Sequence, residues 1–103
     1  MRKTAMIYLN GERKSEQKLF CYLYCAENDY EVVNVTEDLS EVYECDVMVV
    51  ANAPKLSRDA IEYYGIVDNL KSIGVKVEFA ITEENAGRYI DLITKEFKKN
   101  KVG

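Results

Sequence analysis

Residues 46–58 read Asp-Val-Met-Val-Val-Ala-Asn-Ala-Pro-Lys-Leu-Ser-Arg, and they are the strongest indication of the architecture. The first part, Val47 to Ala51, is a short apolar run of the kind that forms a strand buried on both faces. A polar loop with Lys55 and Arg58 follows directly, and a helical pattern begins near Asp59. In a parallel α/β sheet, a loop of this kind lies at the carboxyl end of a central strand, where such folds place their sites.

Working outward from this stretch, the same patterns predict three further strands and three helices. The predicted strands are Thr4 to Leu9, Glu31 to Val35 and Val75 to Ile81. The first helix is predicted to have Ser15 as its N-cap, to end near Asn28, and to bury Leu19, Phe20, Leu23 and Ala26. The second is predicted to have Ser57 as its cap, to end near Ile73 before Gly74, and to bury Ile61, Tyr64, Leu70 and Ile73. The third follows Thr82 and runs from Glu83 to about Lys98.

The alternation of strands and helices predicts an α/β fold, a three-layer sandwich around a mostly parallel four-stranded sheet. Right-handed crossovers give the strand order 2-1-3-4, so the loops 10–14 and 52–58 should meet where the order reverses. The link from Thr36 to Cys45 is short for a parallel crossover, with only a helical hint at Asp38 to Tyr43. We therefore expect part of one sheet face to be thinly covered.

Composition limits the function classes. The 103 residues, 48% of them hydrophobic, predict one domain spanning 1–103. A formal charge of −4 disfavours a general nucleic-acid-binding surface. Neither a membrane span nor a signal peptide is indicated, so we expect a cytoplasmic protein without membrane contact. Three cysteines and no histidine predict small buried thiols and no metal site, and no cofactor is expected.

Several short sequence motifs resemble motifs in the catalytic domain of the serine recombinases of the resolvase/invertase family. The strand, loop and helix end of that family are similar to Asp46–Val50, Pro54–Arg58 and Gly74-Val75 here. Two further phrases are similar: Cys25–Val33, followed by Glu37-Asp38, and Gly87–Ile93 near the start of the family's long helix. The resemblance implies a resolvase-like, flavodoxin-like fold, shortened and without a separate DNA-binding domain.

In that family a serine hydroxyl attacks a DNA phosphate while arginines hold the phosphoryl group. Transferred by the resemblance, the first arginine position is Asn10 and the serine position is Glu12, or Arg13 in a second register. The loop arginines are Lys55 and Arg58. The resemblance therefore implies a degenerate catalytic site, and we expect no strand exchange. A slipped register would offer Ser15, whose role as a helix cap is the simpler interpretation.

Three functional hypotheses remain open at this point. The first is an interaction or regulatory module linked to recombination, which pairs with itself as a homo-oligomer or with an intact recombinase. The second is a DNA-nicking or phosphoryl-transfer enzyme that uses the Lys55/Arg58 loop. The third is a small-anion or nucleotide-binding domain. The candidate phosphate-binding residues are Arg13, Lys14, Lys55 and Arg58. We expect their binding to DNA to be weak and non-specific. The simpler alternative is a solvated loop in which Arg58 pairs with an acidic neighbour.

Overall fold

The computed structural model describes residues 2–82, together with Gly87 and Asp91. Apart from these two residues, the predicted helix from Glu83 to Lys98 lies outside the described residues. Within the described part, no helix has the length and apolar character needed to cross a membrane. The elements in chain order are β1 (Thr4–Tyr8), α1 (Lys14–Glu27), β2 (Glu31–Thr36), a 3-10 turn (Leu39–Glu41), β3 (Val47–Val50), α2 (Ala53–Leu56), α3 (Ala60–Ser72) and β4 (Lys76–Phe79).

The four strands form one sheet in the order β2-β1-β3-β4, and every neighbouring pair is parallel. This confirms the predicted strand order. Ile7 on β1 lies beside Val49 on β3, and Val49 lies beside Glu78 on β4. The two central strands are the two most apolar ones, and all four residues of β3 are buried. Short apolar runs therefore occupy the centre of the sheet because both of their faces are covered there.

Both faces of the sheet carry a hydrophobic core, which makes the fold a three-layer sandwich. On one face α1 packs over alternate residues of β1 and β3, and the buried members of this first core are Ala5, Ile7, Leu9, Cys21, Cys25, Val47, Val49, Ala51 and Ala80. On the other face the 36–46 link, α2 and α3 cover the remaining residues. The buried members of this second core are Met6, Tyr8, Val42, Cys45, Met48, Val50, Leu56, Leu70 and Val75.

Helix α1 begins differently from the prediction. Its N-cap is Arg13, in the left-handed region at φ 59°, and the Arg13 side chain forms no capping hydrogen bond. Ser15 is an exposed residue of the first turn, so its predicted capping role is wrong. The reason lies in the loop: its chain reversal places a left-handed residue at Arg13, and the carbonyl of Arg13 accepts from the Gln17 N–H at 3.0 Å.

The predicted buried stripe of α1 is also wrong in part. Leu19 is 41% exposed and Ala26 is exposed, whereas the buried residues are Gln17, Cys21 and Cys25. These three share one face because they are four residues apart. The burial predicted for the cysteines is confirmed. Hydrophobicity alone favours Leu19 for the buried face. The buried residue is instead Gln17, whose polar atoms form hydrogen bonds with the neighbouring loop.

Helix α3 starts at Ala60 with Asp59 as its N-cap, whose carboxylate accepts from the Glu62 N–H at 3.0 Å. The prediction of Ser57 as the cap is wrong, because residues 53–56 form a separate one-turn helix that ends at Ser57. Gly74, at φ 81°, follows the helix end as predicted.

The packed face of α3 differs as well. It consists of Leu70 with the half-buried Tyr63, Ile66 and Val67. The predicted face is wrong except for Leu70: Ile61 is 86% exposed, Tyr64 66% and Ile73 55%. Apolar residues surround this helix on most sides, so the periodicity of the sequence does not select one face.

The 36–46 link covers its part of the sheet better than expected. It holds one 3-10 turn, in which the Asp38 carboxylate accepts from the Ser40 N–H at 2.9 Å. Val42 and Cys45 reach into the second core and are 2% and 9% exposed. The expectation of a thinly covered face is therefore wrong over β1 and β3. On the edge strand β2, Val33 is 48% exposed, and Tyr43 of the link itself is 58% exposed.

Candidate functional site

The loop after β1 is held by one buried side chain, that of Gln17. Its Nε2 donates to the carbonyl oxygens of Asn10 at 2.8 Å and Glu12 at 2.7 Å, and its Oε1 accepts from the Asn10 N–H at 3.2 Å. Gln17 is 3% exposed, so these bonds are partly buried although Asn10 and Glu12 are exposed residues. Gly11, at φ 74°, allows the reversal between the bonded residues. The glutamine thus fixes the shape of the loop at the end of β1.

The loop after β3 is built around the one-turn helix α2. The Asn52 side chain accepts from the Lys55 N–H at 3.3 Å, and Pro54 lies in the first turn, where its missing N–H costs nothing. Leu56 is buried in the second core, which anchors the turn to the sheet. The short helix therefore holds Lys55 and the following residues at the carboxyl end of β3.

Two contacts join these loops, as the predicted strand order requires. The Asn10 Nδ2 donates to the Lys55 carbonyl at 3.1 Å, and the Lys55 Nζ donates to the Glu12 carbonyl at 3.2 Å. A Cβ added at Gly11 would lie 3.5 Å from the Lys55 Nζ, an ordinary van der Waals distance. The ends of the two central strands thus form one continuous surface at the switch point.

A cleft of about 630 Å³ opens at this surface. The candidate residues Asn10, Glu12, Lys55 and Arg58 all line it. The full lining is Asn10, Gly11, Glu12, Pro54, Lys55, Leu56, Ser57, Arg58, Asp59 and Glu62. The four residues identified by resemblance to the recombinase motifs therefore lie together in the folded chain.

The other three candidates lie outside this cleft. Ser15 is exposed on the first turn of α1. Arg13 lines a smaller neighbouring pocket of about 150 Å³, and its NH1 lies 3.6 Å from the Glu16 carboxylate. The Lys14 Nζ forms an ion pair with Glu37. Of the four candidate cations, Lys55 and Arg58 line the cleft, whereas the other two are paired with carboxylates elsewhere.

The cleft is electrostatically mixed. Its cations are Lys55 and Arg58, and its carboxylates are Glu12, Asp59 and Glu62. Neither cation forms an ion pair with any other residue in the described ranges 2–82, 87 and 91, so the predicted pairing of Arg58 with an acidic neighbour is not observed there. Tyr8 lies at the end of β1 beside these groups. Burial raises its pKa, and the Glu62 and Asp38 carboxylates raise that pKa further.

Gln17, Ser57, Asp59 and Glu62 were not among the site residues predicted from the sequence, and Glu12 was the only predicted carboxylate of the lining. An aspartate three residues before a glutamate, as in Asp59–Glu62, is a signature of a helix start and could have located two of the carboxylates. Ser57 Oγ accepts from the Asp59 N–H at 3.1 Å and donates to the Asp59 carbonyl at 3.2 Å, so it is bound within the loop. Nothing in the sequence marked Gln17 as buried.

The thiols lie away from the cleft in the two cores. Burial raises the pKa of Cys21 to about 12 and that of Cys25 to about 11, so both are protonated at neutral pH. Burial also raises the pKa of Cys45. Among the described residues, no three cysteine, aspartate or glutamate side chains converge as metal ligands.

Comparison with known proteins bears on the fold. No family model matches the chain, and no curated protein is significantly similar to it. Among solved structures, the chain is similar to the crystal structure of the C-terminal catalytic domain of ISC1926 TnpA, an IS607-like serine recombinase. The superposition has a TM-score of 0.66 at 21% sequence identity and covers 88% of this chain and 79% of the other. The α/β fold described here is therefore similar to that of a serine-recombinase catalytic domain.

Proposed function

We propose that this protein is a serine-recombinase-like domain that does not cleave DNA through a serine nucleophile. It serves instead as an interaction or regulatory module linked to recombination, with a second copy or an intact recombinase as its partner. The recombinase-like fold supports the link to recombination. The contents of the cleft support the loss of the covalent chemistry.

The observation that carries the proposal is the state of the hydroxyl groups around the cleft. Among its described lining residues only Ser57 has a hydroxyl, and both hydrogen-bonding directions of that group are used by the Asp59 backbone. Attack on a phosphate requires a hydroxyl that is free to align with the phosphorus atom and a base or field that activates it. Glu12, at the position that the resemblance gives to the serine, cannot form the phosphoserine bond.

Charge supports the same conclusion. A phosphoryl transition state needs a cluster of cations directed at its oxygens. Here two cations share the cleft with the carboxylates of Glu12, Asp59 and Glu62. These carboxylates repel a phosphodiester. Lys55 also lacks the planar pair of donors with which a guanidinium binds phosphate.

A second candidate function rests on Arg58. Arg58 lines the cleft and has no ion-pair partner among the described residues, which favours weak binding of DNA phosphate or of a small anion. Such binding would depend steeply on salt and not on DNA sequence. It would accompany the interaction role and would not require catalysis.

The test is incubation with supercoiled plasmid, followed by denaturation and a search for nicked plasmid and for a covalent protein–DNA adduct. We expect neither product from the wild-type chain. Glu12→Ser should also remain inactive, because Asn10 and Lys55 still replace the arginines that stabilise charge in the family. The same mixtures, run on a native gel at two salt concentrations, report the weak binding expected of Arg58.

The matched controls are Ser57→Ala and Ser15→Ala. An adduct that forms with the wild-type chain and disappears in one of these two variants would identify the nucleophile and would refute the proposal. A nick without an adduct, lost in Arg58→Ala, would favour the alternative of a phosphoryl-transfer enzyme acting through the Lys55/Arg58 loop.

A further inference from the structure

Strand β4 has one open edge in the part of the chain that the structure describes. Its neighbour β3 binds one side: the Lys76 N–H donates to the Asp46 carbonyl at 3.0 Å, and the Ala80 N–H donates to the Val50 carbonyl at 2.8 Å. Successive residues of a strand direct their backbone groups to opposite sides. The N–H and C=O groups of Val77 and Phe79 therefore point away from β3, and they have no strand partner among the described residues.

An apolar groove borders this edge. Its volume is about 500 Å³, and it lies between α3 and β4, with a lining of Val67, Lys71, Gly74, Val75, Lys76 and Val77. Tyr64 is 66% exposed and lies on the same flank of α3 as Val67 and Lys71, at helical spacings of three and seven residues. The open edge is thus flanked by apolar surface that a neighbouring helix could cover.

The charged side chains of β4 are complementary to those of a second β4 strand that runs antiparallel to it. Lys76 and Glu78 share one face of the strand, with the Lys76 Nζ 3.6 Å from Glu78 Oε2. Glu78 is held firmly, because its Oε1 accepts from the Tyr24 hydroxyl at 2.6 Å and from the Tyr30 hydroxyl at 2.8 Å. Lys76 is exposed, with 75% of its side chain accessible. The Glu78 side chain is 13% exposed, and an antiparallel copy of the strand would bring a second Lys76 opposite it.

We propose that the β4 edge is a homodimer surface at which two copies of the chain join their sheets. In antiparallel pairing with Val77 opposite Val77 of the second copy, each Lys76 lies opposite Glu78 of the other copy, so two cross-strand ion pairs form. Shifting the centre to Glu78 would place two carboxylates opposite each other, which is unfavourable. The pairing satisfies the outward backbone groups of β4 and is isologous, as a two-fold dimer requires.

In this dimer the two α3 helices lie on the same face of the extended sheet and flank the junction. Each would cover the groove beside the other copy's β4, and Tyr64 would become buried there. The homodimer rests on the proposed interaction role in one respect: it specifies a second copy of the chain as the partner. The geometry of the edge is independent of the chemistry of the cleft, so a positive plasmid-cleavage assay and a missing dimer would refute different statements.

The test is sedimentation equilibrium of the full chain over a concentration series. We expect a concentration-dependent dimer for the wild type. Val77→Pro removes the outward N–H without touching a hydrogen bond to β3. Lys76→Glu places like charges opposite each other at two symmetric positions. Each variant should weaken the dimer at least about tenfold.

The matched control is Glu31→Lys, a charge reversal at an exposed residue of the other edge strand, β2, which should leave the dimer unchanged. Circular dichroism confirms that each variant is folded, and Lys76→Glu carries the test if the proline variant does not fold. A wild-type chain that stays monomeric throughout the series overturns the proposal. So does a dimer that survives Val77→Pro and Lys76→Glu as well as it survives Glu31→Lys.

Discussion

Gln17 shows how one side chain can determine the shape of a functional loop. Its buried amide satisfies two carbonyls and one N–H of residues 10–12 at distances of 2.7–3.2 Å. The same loop then receives the Lys55 ammonium group at Glu12. The position of Glu12 and Lys55 in the cleft therefore depends on a residue that does not line it.

Replacing Gln17 should destabilise the protein more than its size suggests. Gln17→Met keeps a similar volume and removes three partly buried hydrogen bonds to the Asn10 and Glu12 backbone, which should cost about 2 kcal/mol. Urea unfolding monitored by circular dichroism measures this loss. The control is Glu16→Ala, which removes only an exposed ion pair with Arg13. A Gln17→Met variant as stable as Glu16→Ala would show that water replaces the amide and that the loop does not depend on it.

At the scale of elements, helix-capping residues separate residues 52–60 into one short helix, α2, and the start of another, α3. Asn52 caps α2 and Asp59 caps α3, while Ser57 bridges the two helices through the Asp59 backbone. A single helix across residues 57–73 would place Arg58 in its first turn and leave only Lys55 on the preceding loop. The break at Ser57 instead places both cations at the edge of one cleft.

The two candidate caps of α3 can be distinguished by substitution. Asp59→Ala removes the acceptor for the Glu62 N–H and should cost about 1 kcal/mol of unfolding free energy. Asp59→Asn should restore most of that stability, because an asparagine side chain caps a helix about as well. Ser57→Ala should cost less than Asp59→Ala in the same urea titration. The reverse order would mean that α3 starts at Ser57, as the sequence alone predicted.

At the scale of the whole molecule, a polar cluster connects the two edges of the sheet beneath α1. Tyr24 and Tyr30 both donate to Glu78, although Tyr30 precedes β2 at one edge and Glu78 lies on β4 at the other. Burial, followed by the hydrogen bond to Glu78, raises the pKa of Tyr30 to about 12. Cys21 and Cys25 lie in the core on the same side of the sheet, with the raised pKa values given above.

These groups predict a loss of stability at alkaline pH. Each has a higher pKa in the folded protein than its usual value of 10.0 for tyrosine or 9.0 for cysteine, so the unfolded chain loses its protons first. The free energy of unfolding should therefore be independent of these groups below about pH 8 and should fall between about pH 9 and pH 12. Urea titrations at a series of pH values measure this slope.

Tyr30→Phe is the matched control, because it removes one of the three groups and keeps the aromatic ring. The fall above pH 10 should become shallower in this variant. An unchanged slope would mean that the Tyr30 hydroxyl titrates equally in the folded and unfolded chains, and that the bond to Glu78 does not favour its protonated form.

Much of the architecture was predictable from the sequence. The apolar runs at residues 4–9 and 47–51 identify the central strands, because only strands covered on both faces are apolar throughout. The strand order follows from the handedness of parallel crossovers, and it brings Asn10, Glu12, Lys55 and Arg58 to one cleft. These inferences succeed because they depend on local pattern and on general rules of chain connection.

Tertiary structure alone decided which helix faces are buried and which groups meet across the sheet. Leu19, Ile61 and Tyr64 are exposed although they are apolar, because each helix rotates to optimise the packing of all its neighbours together. The burial of Gln17 and the acidic lining of the cleft depend on residues from separate elements that approach each other only in the folded chain. The β4 edge, which has no strand partner among the described residues, likewise exists only once the sheet has formed. Such features arise from non-local contacts, for which a one-dimensional pattern carries no signal.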